Sequence, residues 1–347
     1  MLNDLRIKNR NVLYYVLSIL VIMAHNDGYF FYVKHNIEIN NSVILIIDYF
    51  TKYLFQIAVP IFLFFSGMFF YKNTNNISEL IKKIKSRLIT IVMPYFAWNI
   101  ISIIWNYVIS VIPFLKKNAE VREIFTFSMQ NIFDGIFYYK YNKHFWFMYS
   151  MCIFIIISPI LYFLFKNKKI GTIVVISIIV LYFFGYKMPV ERHTDSFIYY
   201  LIGCYIGKYY YKEFATYINS MSFKKIIIFG FVFILSEISL FFISSKEIIT
   251  VINAIAGLSF SLVVLNINYK NPNLEVYDYY FMNFCMHFIV QPCVCKLIWL
   301  FLPHNSFFAL FYLFGGVTIT VLIIYFISSL IRKYFNGLWF ILTGQKQ

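Results

Sequence analysis

The chain of 347 residues is 61% hydrophobic and 22% aromatic, carries only 13% charged residues, and has a mean hydropathy of +0.71. Such a composition excludes a water-soluble globular protein and describes a polytopic, all-α membrane bundle, read as one domain over residues 1–347. The net charge of +15 does not signal nucleic acid: nineteen lysines and arginines fall in predicted inner segments and ten in outer ones, the positive-inside bias expected beside anionic lipid.

The first predicted helix runs from Asn11 to Tyr32. It is too long and bulky for a cleaved signal peptide. Its basic start, Arg6, Lys8 and Arg10, places the N-terminus in the cytoplasm. Fourteen residues along it, His25 lies roughly 21 Å into a hydrocarbon core about 30 Å thick. An ionisable group there is costly and therefore marks a functional site. The plainer alternative is an imidazole hydrogen-bonded to a neighbouring helix.

An outer segment follows, Lys34 to Lys52, whose end at Ile44–Phe50 reads as interfacial. The second span returns through Tyr53–Tyr71, with Pro60 placed to bend it. Ser66 and Gly67 sit near its inner end, where small residues let another backbone or a ligand come close. The inner loop then carries Lys72, Lys82, Lys83, Lys85 and Arg87. Such residues are ordinary topology signals, but Lys83 and Arg87 are four apart and project from one face of a helix. That pair suits a phosphorylated cytosolic ligand.

The third span goes out from Leu88 to Pro113, and Ile124–Phe137 reads as an interfacial or re-entrant helix. Further spans are expected at His144–Phe165, Ile170–Tyr186, Phe197–Tyr211, Lys225–Ile243, Ile248–Ile267, Tyr277–Leu302 and Phe307–Ile331, with a short outer turn at Glu191–His193. Ten spans with both termini inside satisfy the charge rule at every turn. All five cysteines (Cys152, Cys204, Cys285, Cys293 and Cys295) fall in predicted helices and read as small buried hydrophobes, so no metal site is expected.

Two more ionisable groups fall near mid-membrane, Glu237 and His287. An imidazole beside a carboxylate orients a general base and stabilises its protonated form. Each also has a structural reading: a protonated carboxyl bonded to a carbonyl or Tyr, or a histidine in a buried hydrogen bond.

Taken in order, several pieces resemble the integral membrane acyltransferases of acyltransferase family 3. They are VLSILVIMAH with its terminal His25, FLFFSGMFF around Ser66 and Gly67, and IKKIKSRLITIVMPYFAW with Lys83 and Arg87. HFWFMYSM with Trp146, YYLIGCYIGK and FMNFCMHFIV with His287 complete the set. The resemblance implies a bacterial inner-membrane enzyme that moves an acyl group, most simply acetyl, from cytosolic acyl-CoA to a glycan or lipid-linked glycan. It makes His25 the catalytic residue, as general base or as nucleophile, and associates Lys83 and Arg87 with the donor. One position departs from the pattern: the family arginine eleven residues before the histidine is Tyr14 here, and Arg10 lies one turn earlier. A transporter or flippase, or a catalytically silent scaffold, are the competing readings.

Overall fold

The computed structural model describes residues 6–26, 28–112, 125–186 and 194–345. The expected turn at Glu191–His193 and the stretch around Pro113 and Ile124 lie outside them. Among the described residues the chain is helical and contains no strand. Seven of the described helices are long and apolar enough to cross a membrane. The other three expected spans are shorter helices: α1 (Arg10–Ala24), α7 (Lys168–Phe183) and α8 (Thr194–Tyr209).

The first helix differs from its expected course. It stops at Ala24, and a separate helix α2 (Gly28–Lys34) follows. Asn26 and Gly28 at the junction explain the break, since both residue types are poor helix formers. The Asn26 carboxamide accepts from the Gly28 amide at 3.1 Å and donates to the Tyr312 carbonyl at 2.7 Å. Gly28 is also pressed so closely on the Tyr312 ring that any side chain there would overlap it.

The second span starts earlier than expected. Helix α3 (Asn41–Tyr71) is continuous over 31 residues and absorbs the stretch read as interfacial. Asn40 caps it by accepting from the Ser42 amide, and Lys52 pairs with Asp48 at 2.8 Å one turn away. Its geometry loosens to a π turn at Tyr49–Tyr53 and a 3₁₀ turn at Leu54–Ile57, just before Pro60. The proline has no amide to bond the Gln56 carbonyl, so regular winding cannot pass through this point.

The expected inner loop is likewise helical. Helix α4 (Ile77–Val111) begins with a capping exchange: the Asn76 carboxamide accepts from the Glu79 amide, and the Glu79 carboxylate accepts from the Asn75 amide. A π turn at Leu88–Val92 again precedes a proline, Pro94. Within the stretch read as interfacial or re-entrant lies helix α5 (Met129–Phe137), capped by Ser128. The remaining spans are α6 (Lys143–Leu164), α10 (Phe223–Phe242), α11 (Glu247–Asn266), α12 (Glu275–Phe301) and α13 (Ser306–Tyr334). Two short helices have no counterpart in the sequence reading: α9 (Tyr211–Asn219) and α14 (Asn336–Thr343).

The chain divides into two compact units. The first comprises Met1–Leu80 and Ser158–Tyr325. Its closest helix pair is α3 with α8, which meet through glycines. A methyl group on Gly203 would overlap the Phe64 carbonyl oxygen, one on Gly207 the Met68 carbonyl, and one on Gly67 the Tyr200 carbonyl. The close approach foreseen at Ser66-Gly67 is therefore made by the α8 backbone. This is how helices gain packing contact where lipid offers no hydrophobic drive.

The second unit comprises Ile81–Ile157 and Phe326–Gln347. There the Trp98 indole donates to the Leu342 carbonyl at 3.0 Å, Tyr95 to the Phe137 carbonyl at 2.9 Å, and Asn99 to Ile136 at 3.2 Å. Trp339 is buried with the Arg332 guanidinium over its ring. These bonds pin α5 and α14 to α4.

The glycine contacts give a direct test. Gly203→Leu overpacks the α3–α8 crossing and should cost about 1–3 kcal/mol, read as a lower thermal-aggregation midpoint in detergent. Gly337→Ala, on an open face of α14 with no atom nearby, should leave that midpoint unchanged or slightly raised. Equal midpoints for the two variants would contradict the packing account.

Candidate active site

Helix α12 carries a buried series at four-residue intervals: Asn283, His287, Gln291 and Cys295. Residues four apart form one ridge of a helix surface. Here that ridge lies against α1 and the break that follows it. The Asn283 carboxamide donates to Ser18 at 3.2 Å, and Ser18 donates to the Tyr15 carbonyl at 2.7 Å. The Gln291 carboxamide donates to the Ile22 carbonyl at 2.8 Å. The Cys295 thiol lies 3.6 Å from the Asn26 carboxamide oxygen.

The Gln291 bond has a clear physical origin. The last carbonyls of a helix have no partner within it, and in a membrane no water is at hand to supply one. Gln291 fills that need at the end of α1, so a helix can stop inside the bundle.

His25 occupies the position immediately after α1, at its C-cap. Its ring stacks on that of His287, with centroids 5.4 Å apart and planes 14° from parallel. His287 is 1% exposed, and its Nδ1 lies 2.8 Å from the Phe284 carbonyl and 3.2 Å from that of Asn283. Carbonyl oxygens only accept, so Nδ1 carries the hydrogen and a neutral His287 keeps its lone pair on Nε2. Two imidazoles thus face each other in a buried polar line, one held in a fixed tautomer by the backbone. Such an arrangement can accept and release a proton.

The other expected residues divide between the units. Tyr14 lies one turn before Ser18 in an aromatic cluster, 5.2 Å from Tyr280 and 5.4 Å from Phe62 between ring centroids. Arg10 extends over the Phe69 ring at 5.4 Å. Glu237 is buried on α10, where it faces Tyr49 of α3. Lys83, Arg87 and Trp146 belong to the second unit. Within α4, Lys83 and Arg87 are half-buried on one face while Lys82 and Lys85 are exposed, as the four-residue spacing predicts. Trp146 opens the regular part of α6, edge-on to Phe147.

Ser18, Asn26, Asn283 and Gln291 escaped the sequence reading. Their signal was present: three carboxamides and a hydroxyl inside apolar runs, two of them at four-residue steps from His287.

A membrane bundle with an imidazole pair sunk among its helices is of a kind suited to group transfer between partners that meet within the bundle. The family model described as an acyltransferase domain, that of acyltransferase family 3, matches residues 11–330. The chain belongs to that family and is a multi-pass membrane acyltransferase. No curated protein and no solved structure matches it.

Replacing Gln291 by Leu strands the Ile22 carbonyl in the bundle. The expected loss is about 1–3 kcal/mol, read as a lower unfolding midpoint in detergent. An unchanged midpoint would show that another group satisfies the broken end of α1.

Proposed function

We propose that this acyltransferase moves an acyl group, most simply acetyl, from cytosolic acyl-CoA to a hydroxyl of a cell-surface glycan or its lipid-linked precursor. On this reading it sits in a bacterial inner membrane with both termini in the cytoplasm, as its charge distribution favours. The observation that carries the proposal is the stacked His25–His287 pair at the break after α1.

The chemistry follows from the groups present. A sugar hydroxyl is a poor nucleophile until its proton is removed as it attacks. His25 takes that proton while the hydroxyl oxygen bonds to the thioester carbonyl carbon. The carbon–sulfur bond then breaks, and the departing CoA sulfur takes the proton back from the imidazolium. An imidazole with an ordinary pKa near 6.5 suits both halves of this exchange. His287 positions the His25 ring from behind, itself held through Nδ1 by the Phe284 carbonyl. Glu237, with Tyr49 beside it, has no step in this mechanism.

Lys83 and Arg87 serve the donor's phosphates on this reading, as a pair on one helix face. Ser66 and Gly67 contribute through the α3–α8 packing, and Tyr14 and Trp146 through shape.

Membranes containing the protein should transfer label from acyl-CoA to glycan, and His25→Ala should lower the rate by at least about 100-fold at unchanged protein level. Full transfer by that variant, or solute flux that persists without acyl-CoA, would contradict the proposal and favour a scaffold or a transporter. Replacing Lys83 and Arg87 together by Ala should raise KM for the donor several-fold more than it lowers kcat. An unchanged KM would remove the pair from donor binding.

A further inference from the structure

The break after α1 gathers buried polar groups that the mechanism above does not use. Tyr32, on α2, is 0% exposed, and Tyr312, on α13, is 2% exposed. Among the described residues neither hydroxyl has a hydrogen-bond partner. Gln291 is 2% exposed; its amide nitrogen serves the Ile22 carbonyl, but its amide oxygen accepts from no described residue. All three belong to the first unit, which also holds His25 and His287.

These groups are neighbours. The Tyr32 and Tyr312 rings meet edge to face, with centroids 5.7 Å apart and planes at 88°. The Tyr312 hydroxyl lies within electrostatic reach of Tyr32 and of the Cys295 thiol. That thiol is 3.6 Å from the carboxamide oxygen of Asn26, the residue after His25, and Asn26 in turn donates to the Tyr312 carbonyl at 2.7 Å. Along α12, Gln291 stands one turn beyond His287 and Cys295 two, in steps of about 6 Å. The unused groups therefore begin beside the imidazole pair and continue toward the C-terminal end of α12, which faces outward on the proposed topology.

The cost of these groups argues for a use. Phenylalanine at either tyrosine position would fill the same space without stranding a hydroxyl, and a buried polar group left unpaired is destabilising. Both rings are held in place: Tyr312 packs on Gly28, and Tyr32 lies edge-on to Trp299 at 5.4 Å between centroids. Tyr312 opens the π turn Tyr312–Gly316, a departure from regular winding that recurs at functional sites. Two O–H donors and one amide acceptor on fixed supports match alcohols, which both donate and accept.

We infer that the Tyr32 and Tyr312 hydroxyls and the Gln291 amide oxygen hold hydroxyls of the acceptor other than the one that reacts, and so bring the reacting hydroxyl to His25. The inference rests on the O-acyl transfer proposed above and specifies its acceptor as polyhydroxylated. The phenols donate to acceptor oxygens, and Gln291 accepts from an acceptor hydroxyl. A site built to bond a hydroxyl discriminates strongly against an analogue that lacks it. The groups are enclosed in the resting protein, and the acceptor reaches them past α2, the seven-residue helix that carries Tyr32.

The test combines kinetics with stability for Tyr32→Phe and Tyr312→Phe in the full-length protein. Transfer is followed from labelled acetyl-CoA to glycan prepared from cells that lack the protein. Each variant should raise KM for the glycan about five- to tenfold, leaving KM for acetyl-CoA and kcat within about twofold. The unfolding midpoint in detergent should stay the same or rise, because an unpaired hydroxyl is removed from a buried site. An unchanged glycan KM in both variants would mean that the hydroxyls never meet the acceptor; the inference would fall while acyl transfer stands. A raised KM for acetyl-CoA alone would assign them to the donor and overturn it too. A lowered midpoint would give the hydroxyls a structural partner, with the same consequence. No transfer by the unaltered protein would remove the acyl-transfer proposal, and the inference with it.

Discussion

The structure depends on a line of polar side chains where a membrane bundle ordinarily has none. Asn283, His287, Gln291 and Cys295 run down one ridge of α12 and meet Ser18, Ile22, His25 and Asn26 along α1 and its end. In hydrocarbon each of these groups would be costly alone. Asn283 bonds Ser18, and Gln291 bonds the Ile22 carbonyl at the point where α1 stops short of its expected length. The break in turn frees His25 from the regular helix and lets its ring lie parallel to that of His287. Stability and the proposed chemistry thus share one set of contacts.

The packing around that line is arranged for rigidity. Glycines let α3 and α8 approach at backbone distance, and the Lys208 ammonium donates to the Thr74 carbonyl at one end of the same pair. Helix α3 winds through π and 3₁₀ turns ahead of Pro60, and α4 through a π turn ahead of Pro94. The missing proline amides leave the Gln56 and Thr90 carbonyls without their usual helical donors. An active site built on such helices holds its geometry better than one on loops.

Much of this was legible in the sequence. Hydropathy gave the span order, and the four-residue spacing of Lys83 and Arg87 gave their shared face on α4. His25 and His287 stood out because ionisable groups are rare in apolar runs. The early end of α1 was harder to see, although Asn26 and Gly28 carry the signal; the hydropathy of the run hides it, because Tyr29 to Tyr32 resume the apolar pattern. The start of α3 at Asn41 was obscured by Asp48 and Lys52, which read as loop charges until their mutual pairing is known. The Glu237 environment could not be read at all, since Tyr49 lies far from it in the chain and nothing in either helix announces the other.

The central claim is that His25 and His287 act as one unit. A double-mutant cycle on acyl transfer, with His25→Ala, His287→Ala and both together at matched protein levels, tests it most directly. If the stacked pair is the catalytic device, the double variant will be no slower than the worse single variant. Losses that simply multiply would show that the two rings work independently, and the account would fail there.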